Sequence, residues 1–187
     1  IDIIGNSITN EAVIRGEMEI DEGDPFTNLS LEKSTANIKS RNIFRKVEHK
    51  VIDGSAQNLK KIEILVEEKP TGEISAGAGI GTNGGSFAFT VKENNYLGEG
   101  KNVGFDIQID QDSLKGTLNY SDPNYDFLGN ELNYYLTSES NDQPDRGYEN
   151  TIMGAGISTS FEQYNDVFAT LGVSATHDDL QTLDSAS

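Results

Sequence analysis

Val103-Gly104-Phe105-Asp106-Ile107-Gln108-Ile109-Asp110 alternates without a break. Val103, Phe105, Ile107 and Ile109 fall on one face of an extended chain, and Gly104, Asp106, Gln108 and Asp110 fall on the other. A period of two marks a β-strand with one apolar face. Carboxylates and an amide in mid-strand show that the second face is wet along its whole length.

The same pattern repeats on both sides. Upstream, Phe87, Phe89 and Val91 share a face, and before them a small-residue strand spans 73–81. Downstream, Leu114, Leu118 and Tyr120 oppose Lys115, Thr117, Asn119 and Ser121. Leu132, Tyr134 and Leu136 then oppose Asn133, Tyr135 and Thr137. A sixth strand carries Met153, Ala155 and Ile157 against Gly154, Gly156 and Ser158. A seventh carries Val167, Ala169, Leu171, Val173 and Ala175 against Thr170, Gly172, Ser174 and Thr176. Strands of about ten residues suit a tilted crossing of a hydrocarbon layer of about 30 Å.

A soluble sandwich alternates too, but the connections differ in character. On one side they carry aromatics: Tyr96 within 95–99, Tyr125 and Phe127 within 122–130, and Phe161 and Tyr164 within 161–165. On the other side 82–85, 110–113 and a long loop at 139–149 are polar, with Tyr148 the exception. A girdle at one membrane interface explains that asymmetry. Seven strands do not close a barrel of even strand number. With neither a signal peptide at Ile1 nor a stop near Ser187, the chain reads as a fragment.

Composition supports two regions. The 187 residues carry a net charge of −17 and no cysteine. Residues 1–69 hold a net −3 and residues 70–187 a net −14. So acidic a chain excludes nucleic acid as a partner, because phosphate neutralisation needs clustered Lys and Arg. The charge break near Pro70 divides the chain into 1–70 and 71–187.

Residues 1–70 read as β-α-α-β-β, an α+β unit. Ile1 to Ile4 form a strand before a Gly5-Asn6 turn. Thr9 is the expected cap of a first helix, with Ile8 and Val13 stapled across it. Asn28 is the expected cap of a second, with Leu31, Thr35 and Ile38 on one face. Val47, His49 and Val51, then Ile62, Ile64 and Val66, alternate in two closing strands.

No nucleophile–base pair, phosphate loop or metal motif is present, so no enzyme activity and no cofactor or metal is expected. His49 and His177 are the only histidines, and a lone histidine is more often structural than a ligand. Gly77-Ala78-Gly79-Ile80-Gly81 lacks the helix and the basic residue of a nucleotide loop.

Fragments of both regions resemble a known family. Ile4-Gly5-Asn6, Thr9, Val13-Ile14-Arg15, Glu22-Gly23-Asp24-Pro25-Phe26, Leu31, Ser34, Phe44, Val47 and Ile64-Leu65-Val66-Glu67-Glu68-Lys69 follow the POTRA pattern in order. Glu93-Asn94-Asn95-Tyr96-Leu97-Gly98-Glu99-Gly100, Ser121-Asp122-Pro123-Asn124-Tyr125 and 154–164 are similar to the first barrel strands of BamA-type outer-membrane assembly factors. The inward loop with an Arg-Gly-Phe motif that characterises the family is not in this stretch.

The resemblance implies a periplasmic POTRA module joined to the start of an antiparallel outer-membrane β-barrel. It implies unfolded outer-membrane protein clients, contact with outer-membrane lipid, and accessory assembly lipoproteins. The expected client-binding strand is Glu73, Ile74, Ser75, Ala76, Gly77, Ala78, Gly79, Ile80 and Gly81, whose small side chains do little to lock a partner. Barrel curvature is an alternative reason for the same glycines. A second expected edge is Lys46, Val47, Glu48, His49, Lys50, Val51 and Ile52 in the module, where solvated charge is the plainer reading of the lysines. A related POTRA-barrel transporter (a two-partner secretion pore, the TamA type or an organellar import pore) is the alternative function.

Overall fold

Ile62, Ile64 and Val66 point one way from β3 (Lys60–Glu68) and are buried. β3 is the middle of a three-stranded sheet of order β1-β3-β2. β1 (Asp2–Ile4) runs parallel to it, with Ile3 opposite Ile64. β2 (Phe44–Asp53) runs antiparallel, with Val47 opposite Val66 and Val51 opposite Ile62. The helices α1 (Glu11–Arg15) and α2 (Asn28–Ser40) supply Ile14, Leu31 and Ile38 to the same core, joined by Ile20, Ile43 and Phe44. Each such side chain contributes about 1.5–3 kcal/mol on burial. The computed structural model describes residues 1–56, 59–81, 84–164 and 167–182. The expected loop positions Thr82 and Asn165 lie outside those residues, as does the end of the chain at Ser187.

Both helix caps differ from expectation. Asn10, not Thr9, caps α1, its side chain accepting from the Ala12 amide at 2.9 Å. Ile8 is 72% exposed and makes no staple. The cause is long-range: the Glu68 carboxylate takes the Thr9 amide at 2.7 Å, a contact 59 residues away that local spacing does not reveal. Thr27 caps α2 one residue before the expected Asn28, accepting from the Ser30 amide at 3.0 Å. The expected buried face of Leu31, Thr35 and Ile38 is present, with Ser34 added. Burial along β2 fades after Val47, so that Val51 and Ile52 are exposed.

The second unit is one antiparallel sheet of seven strands in sequence order. They are β4 (Gly72–Gly81), β5 (Gly84–Tyr96), β6 (Lys101–Ile109), β7 (Ser113–Asp122), β8 (Glu131–Gln143), β9 (Tyr148–Tyr164) and β10 (Val167–Thr182). Register keeps the two faces separate across strands. Val103, Tyr120, Tyr134, Ile157 and Val173 form one apolar row, and Phe105, Leu118, Leu136, Ala155 and Ala175 the next. On the other face Asp106, Thr117, Thr137, Gly154 and Thr176 align. That face is laced by polar bonds. Thr90 Oγ1 donates to Asp106 Oδ1 at 2.8 Å, and Lys115 pairs with Glu139 at 3.2 Å.

The apolar face decides the solvent. Leu136 is 55% exposed and Val173 75%, and among the described residues no second sheet covers them. A sandwich would bury these rows between its layers. A contiguous exposed apolar face of this size belongs against hydrocarbon. The sheet is open, with β4 and β10 at its edges.

The long polar loop expected at 139–149 is mostly strand. Ser140 pairs with Thr151, Asn141 with Asn150, Asp142 with Glu149 and Gln143 with Tyr148. Only a short 3-10 turn, Pro144–Arg146, closes the hairpin, with Gly147 left-handed at φ 70. Hydropathy reads side chains, whereas the ladder is made by backbone groups, and polar residues extend a strand freely where water meets both faces.

The face assignment has a direct test. Ile107→Lys puts a charge on the apolar face and should cost about 2–4 kcal/mol near mid-membrane, whereas Gln108→Lys should be nearly silent. Heat-modifiability of the membrane-extracted barrel reads both, and equal tolerance would contradict the assignment.

Candidate functional site

A sheet edge offers a row of backbone donors and acceptors to any extended chain. The unit of seven strands has two such edges, and the expected binding strand, 73–81, lies within one of them, β4. Every residue of β4 is exposed. Its inner side pairs with β5, Ile74 opposite Val91, Ala76 opposite Phe89 and Ala78 opposite Phe87. A side chain added at Gly77 or Gly81 would meet nothing within 4 Å, so this half of β4 is held chiefly by backbone bonds.

The second expected strand, 46–52, lies in β2, at an edge of the three-stranded sheet. Its register shifts between Phe44 and Lys46. Lys46 pairs with Glu48 at 2.9 Å and Arg45 with Glu67 at 3.2 Å, all exposed and worth little to stability. The Thr35 hydroxyl donates to the Leu31 carbonyl at 2.8 Å, so His49 Nδ1, 2.9 Å away, is the donor to Thr35 Oγ1. His177 lies on the apolar face of the seven-stranded sheet, opposite Met153.

A third feature was not read from the sequence. The Glu68 carboxylate, at the end of β3, accepts from the amides of Ser7, Ile8 and Thr9 at 3.0, 3.0 and 2.7 Å and from the Ser7 hydroxyl at 2.6 Å. Burial pushes its pKa up, but these donors outweigh it and hold the carboxyl at about 2. The same compact unit includes Asn94–Lys101 and Asn124–Gly129, the turns after β5 and β7.

Asn95 is buried in the first of these turns. Its Nδ2 donates to Thr9 Oγ1 at 2.9 Å, and its Oδ1 accepts from the Gly100 amide at 2.8 Å. Asn10 donates to the Gly98 carbonyl at 2.8 Å. Gly98 is left-handed at φ 75, and a Cβ there would run into the Ile8 carbonyl. Arg41 donates to the Gly100 carbonyl at 2.5 Å and pairs with Glu17 at 3.6 Å, both side chains nearly buried. Asn124 reaches Glu17 Oε1 at 3.2 Å and the Gly16 carbonyl at 3.0 Å. The sequence signal was present in the Asn94–Gly100 and Asp122–Tyr125 motifs, but the spacing did not reveal their partners.

Two family models match the chain: the surface antigen variable number repeat, POTRA, over residues 1–69, and the Omp85 superfamily domain over residues 95–187. The chain belongs to the Omp85 superfamily. Its curated relatives include the outer membrane protein assembly factors BamA of Neorickettsia risticii, 37% identical over 58% of this chain and 15% of that protein, and of Neisseria meningitidis, 25% identical over 86% and 21%. The chain thus spans about a fifth or less of their length. Among solved structures, BamA from Haemophilus ducreyi lacking POTRA domains 1–3 matches with a TM-score of 0.84 at 24% identity, over 97% of this chain and 35% of that one. CdiB from Acinetobacter baumannii has the same fold at a TM-score of 0.64 and 12% identity, over 97% and 38%.

This Omp85 chain is therefore a BamA-type POTRA-plus-barrel segment of the outer membrane, with its POTRA module in the periplasm. For Glu68 the sign of the pH effect is fixed. A folded pKa of about 2 against an ordinary 4.5 gives stability that is complete above 4.5 and lost as pH falls towards 2. Glu68→Gln should lower stability at pH 7 by about 1–3 kcal/mol and flatten that acid window. Denaturant unfolding of the chain as a function of pH checks both.

Proposed function

We propose that this chain is part of an outer-membrane protein assembly factor in which β4, its first barrel strand, pairs with an unfolded client barrel and templates that client's folding and insertion. The observation that carries the reading is β4 itself, an exposed edge whose glycines leave the backbone as its main binding surface. Small side chains commit a partner's register weakly, which suits many clients in turn. β2 of the POTRA module is the proposed first receiver, adding a client segment as a fourth strand beside Val47 and His49.

The partners that follow are unfolded outer-membrane proteins, outer-membrane lipid and accessory assembly lipoproteins. No bond is made or broken in this work, so the function is not enzymatic and uses no cofactor. The names of the BamA relatives support the reading. The fold likeness to CdiB supports a second one, a transporter of the same superfamily.

The two differ in their need for a free β4. In the full-length protein, a disulfide joining Ala78→Cys to a cysteine on the last barrel strand should stop insertion of a client barrel into vesicles, and reduction should restore it. Undiminished insertion with the crosslink complete would refute the template role and leave the transporter reading.

A further inference from the structure

Two turns of the first compact unit share one pattern of bonds. In 94–101 the Asn95 carbonyl accepts from the Gly98 amide at 2.9 Å, and Asn95 Oδ1 accepts from the Gly100 amide at 2.8 Å. In 124–129 the Asn124 carbonyl accepts from the Phe127 amide at 3.3 Å, and Asn124 Oδ1 accepts from the Gly129 amide at 2.8 Å. Each asparagine turns its Nδ2 to one end of α1. Asn95 donates to Thr9 Oγ1, just before the N-cap, and Asn124 to the carbonyl of Gly16, the C-cap. The short helix is gripped at both ends.

Each turn also holds a bulky apolar residue in the left-handed region, Leu97 at φ 54 and Phe127 at φ 60. Glycine sits there freely, whereas a bulky side chain is strained. Phe127 has a use inside the unit, because its ring lies against Gly16, where a Cβ would come within 2.7 Å. Leu97 is instead 79% exposed, and Leu128 in the other turn is 81% exposed. Ile8 joins them. Its amide is held by Glu68 at 3.0 Å and its carbonyl lies beside Gly98, so its backbone is fixed next to the turn while its side chain stands in the open.

Exposed apolar side chains on a rigid frame mark a surface for an apolar partner. The neighbouring chain identifies that partner. Leu97 directly follows β5, and Leu128 stands three residues before β8 begins at Glu131; both strands carry apolar rows that face hydrocarbon. Tyr96 and Tyr125 beside them suit the level of lipid headgroups. Charge selects the lipid. Arg15 pairs with Glu11 and Glu22, Arg41 with Glu17, and Lys101 with Glu99. The basic groups of this surface are matched within it, so an anionic headgroup gains little there.

We propose that Ile8, Leu97 and Leu128 insert into the interfacial layer of the leaflet facing the periplasm, and that the POTRA module thereby rests on zwitterionic phospholipid through a residue of its own. Ile8 is the deciding position, because it belongs to the module and not to a connection between membrane strands.

The experiment reconstitutes the full-length protein in phosphatidylcholine vesicles that contain a lipid with a nitroxide close to its headgroup. A fluorophore is attached at Ile8→Cys, Leu97→Cys or Leu128→Cys, one at a time, and heat-modifiability confirms each barrel. Ile52→Cys is the control: Ile52 is exposed too, but it pairs with Lys61, at the opposite end of β3 from Glu68. The three labels should lose most of their emission to the nitroxide, and the control should keep it. Emission kept at position 8 overturns the proposal even where 97 and 128 are quenched, for the turns then touch lipid and the module does not. Quenching at 52 as strong as at 8 overturns it as well, since no particular face of the module would be in contact. Replacing part of the phosphatidylcholine by phosphatidylglycerol should change nothing. Quenching at position 8 that requires the anionic lipid would overturn the assignment of a zwitterionic partner.

Discussion

Hydrocarbon offers no hydrogen bonds, so every backbone amide and carbonyl of a membrane strand must find a partner in another strand. Among the described residues, each inner strand of the seven-stranded sheet has a neighbour on both sides, and only β4 and β10 have one. The apolar rows solve the solvent problem for side chains, and only closure solves it for the backbone. The described sheet is not closed.

The first compact unit is held together by bonds that are far apart in sequence. A carboxylate set against three successive amides is a strong local anchor, because the charged acceptor meets donors that would otherwise have to be solvated. From Glu68 the bonds pass through Thr9 to Asn95, and a separate arm runs from Arg41 through Glu17 to Asn124. Two turns of quite different sequence are thereby held by one small core. The POTRA core remains conventional, ten apolar side chains around β3 and two helices.

Much of this was legible in the order of residues. Alternation fixed the strands and their faces, because a period of two survives any detail of packing, and Val103 to Asp110 gave the pattern in its clearest form. The helix faces were legible for the same reason. What was not legible was anything decided by a distant partner. Thr9 looks like a cap until Glu68 arrives, and Asn95 looks like a turn residue until Thr9 is beside it. The 139–149 stretch looked like a loop because its polar side chains hide a ladder that only the backbone makes.

That ladder has a consequence of its own. β8 has 13 residues and β9 has 17, where about 9–11 suffice to cross the bilayer. The surplus is carried beyond the apolar rows by the ladder itself and ends at the Pro144–Arg146 turn. The tip of this hairpin is therefore a polar projection whose backbone bonds are already spent on its own ladder, with none left over from a free loop to be satisfied.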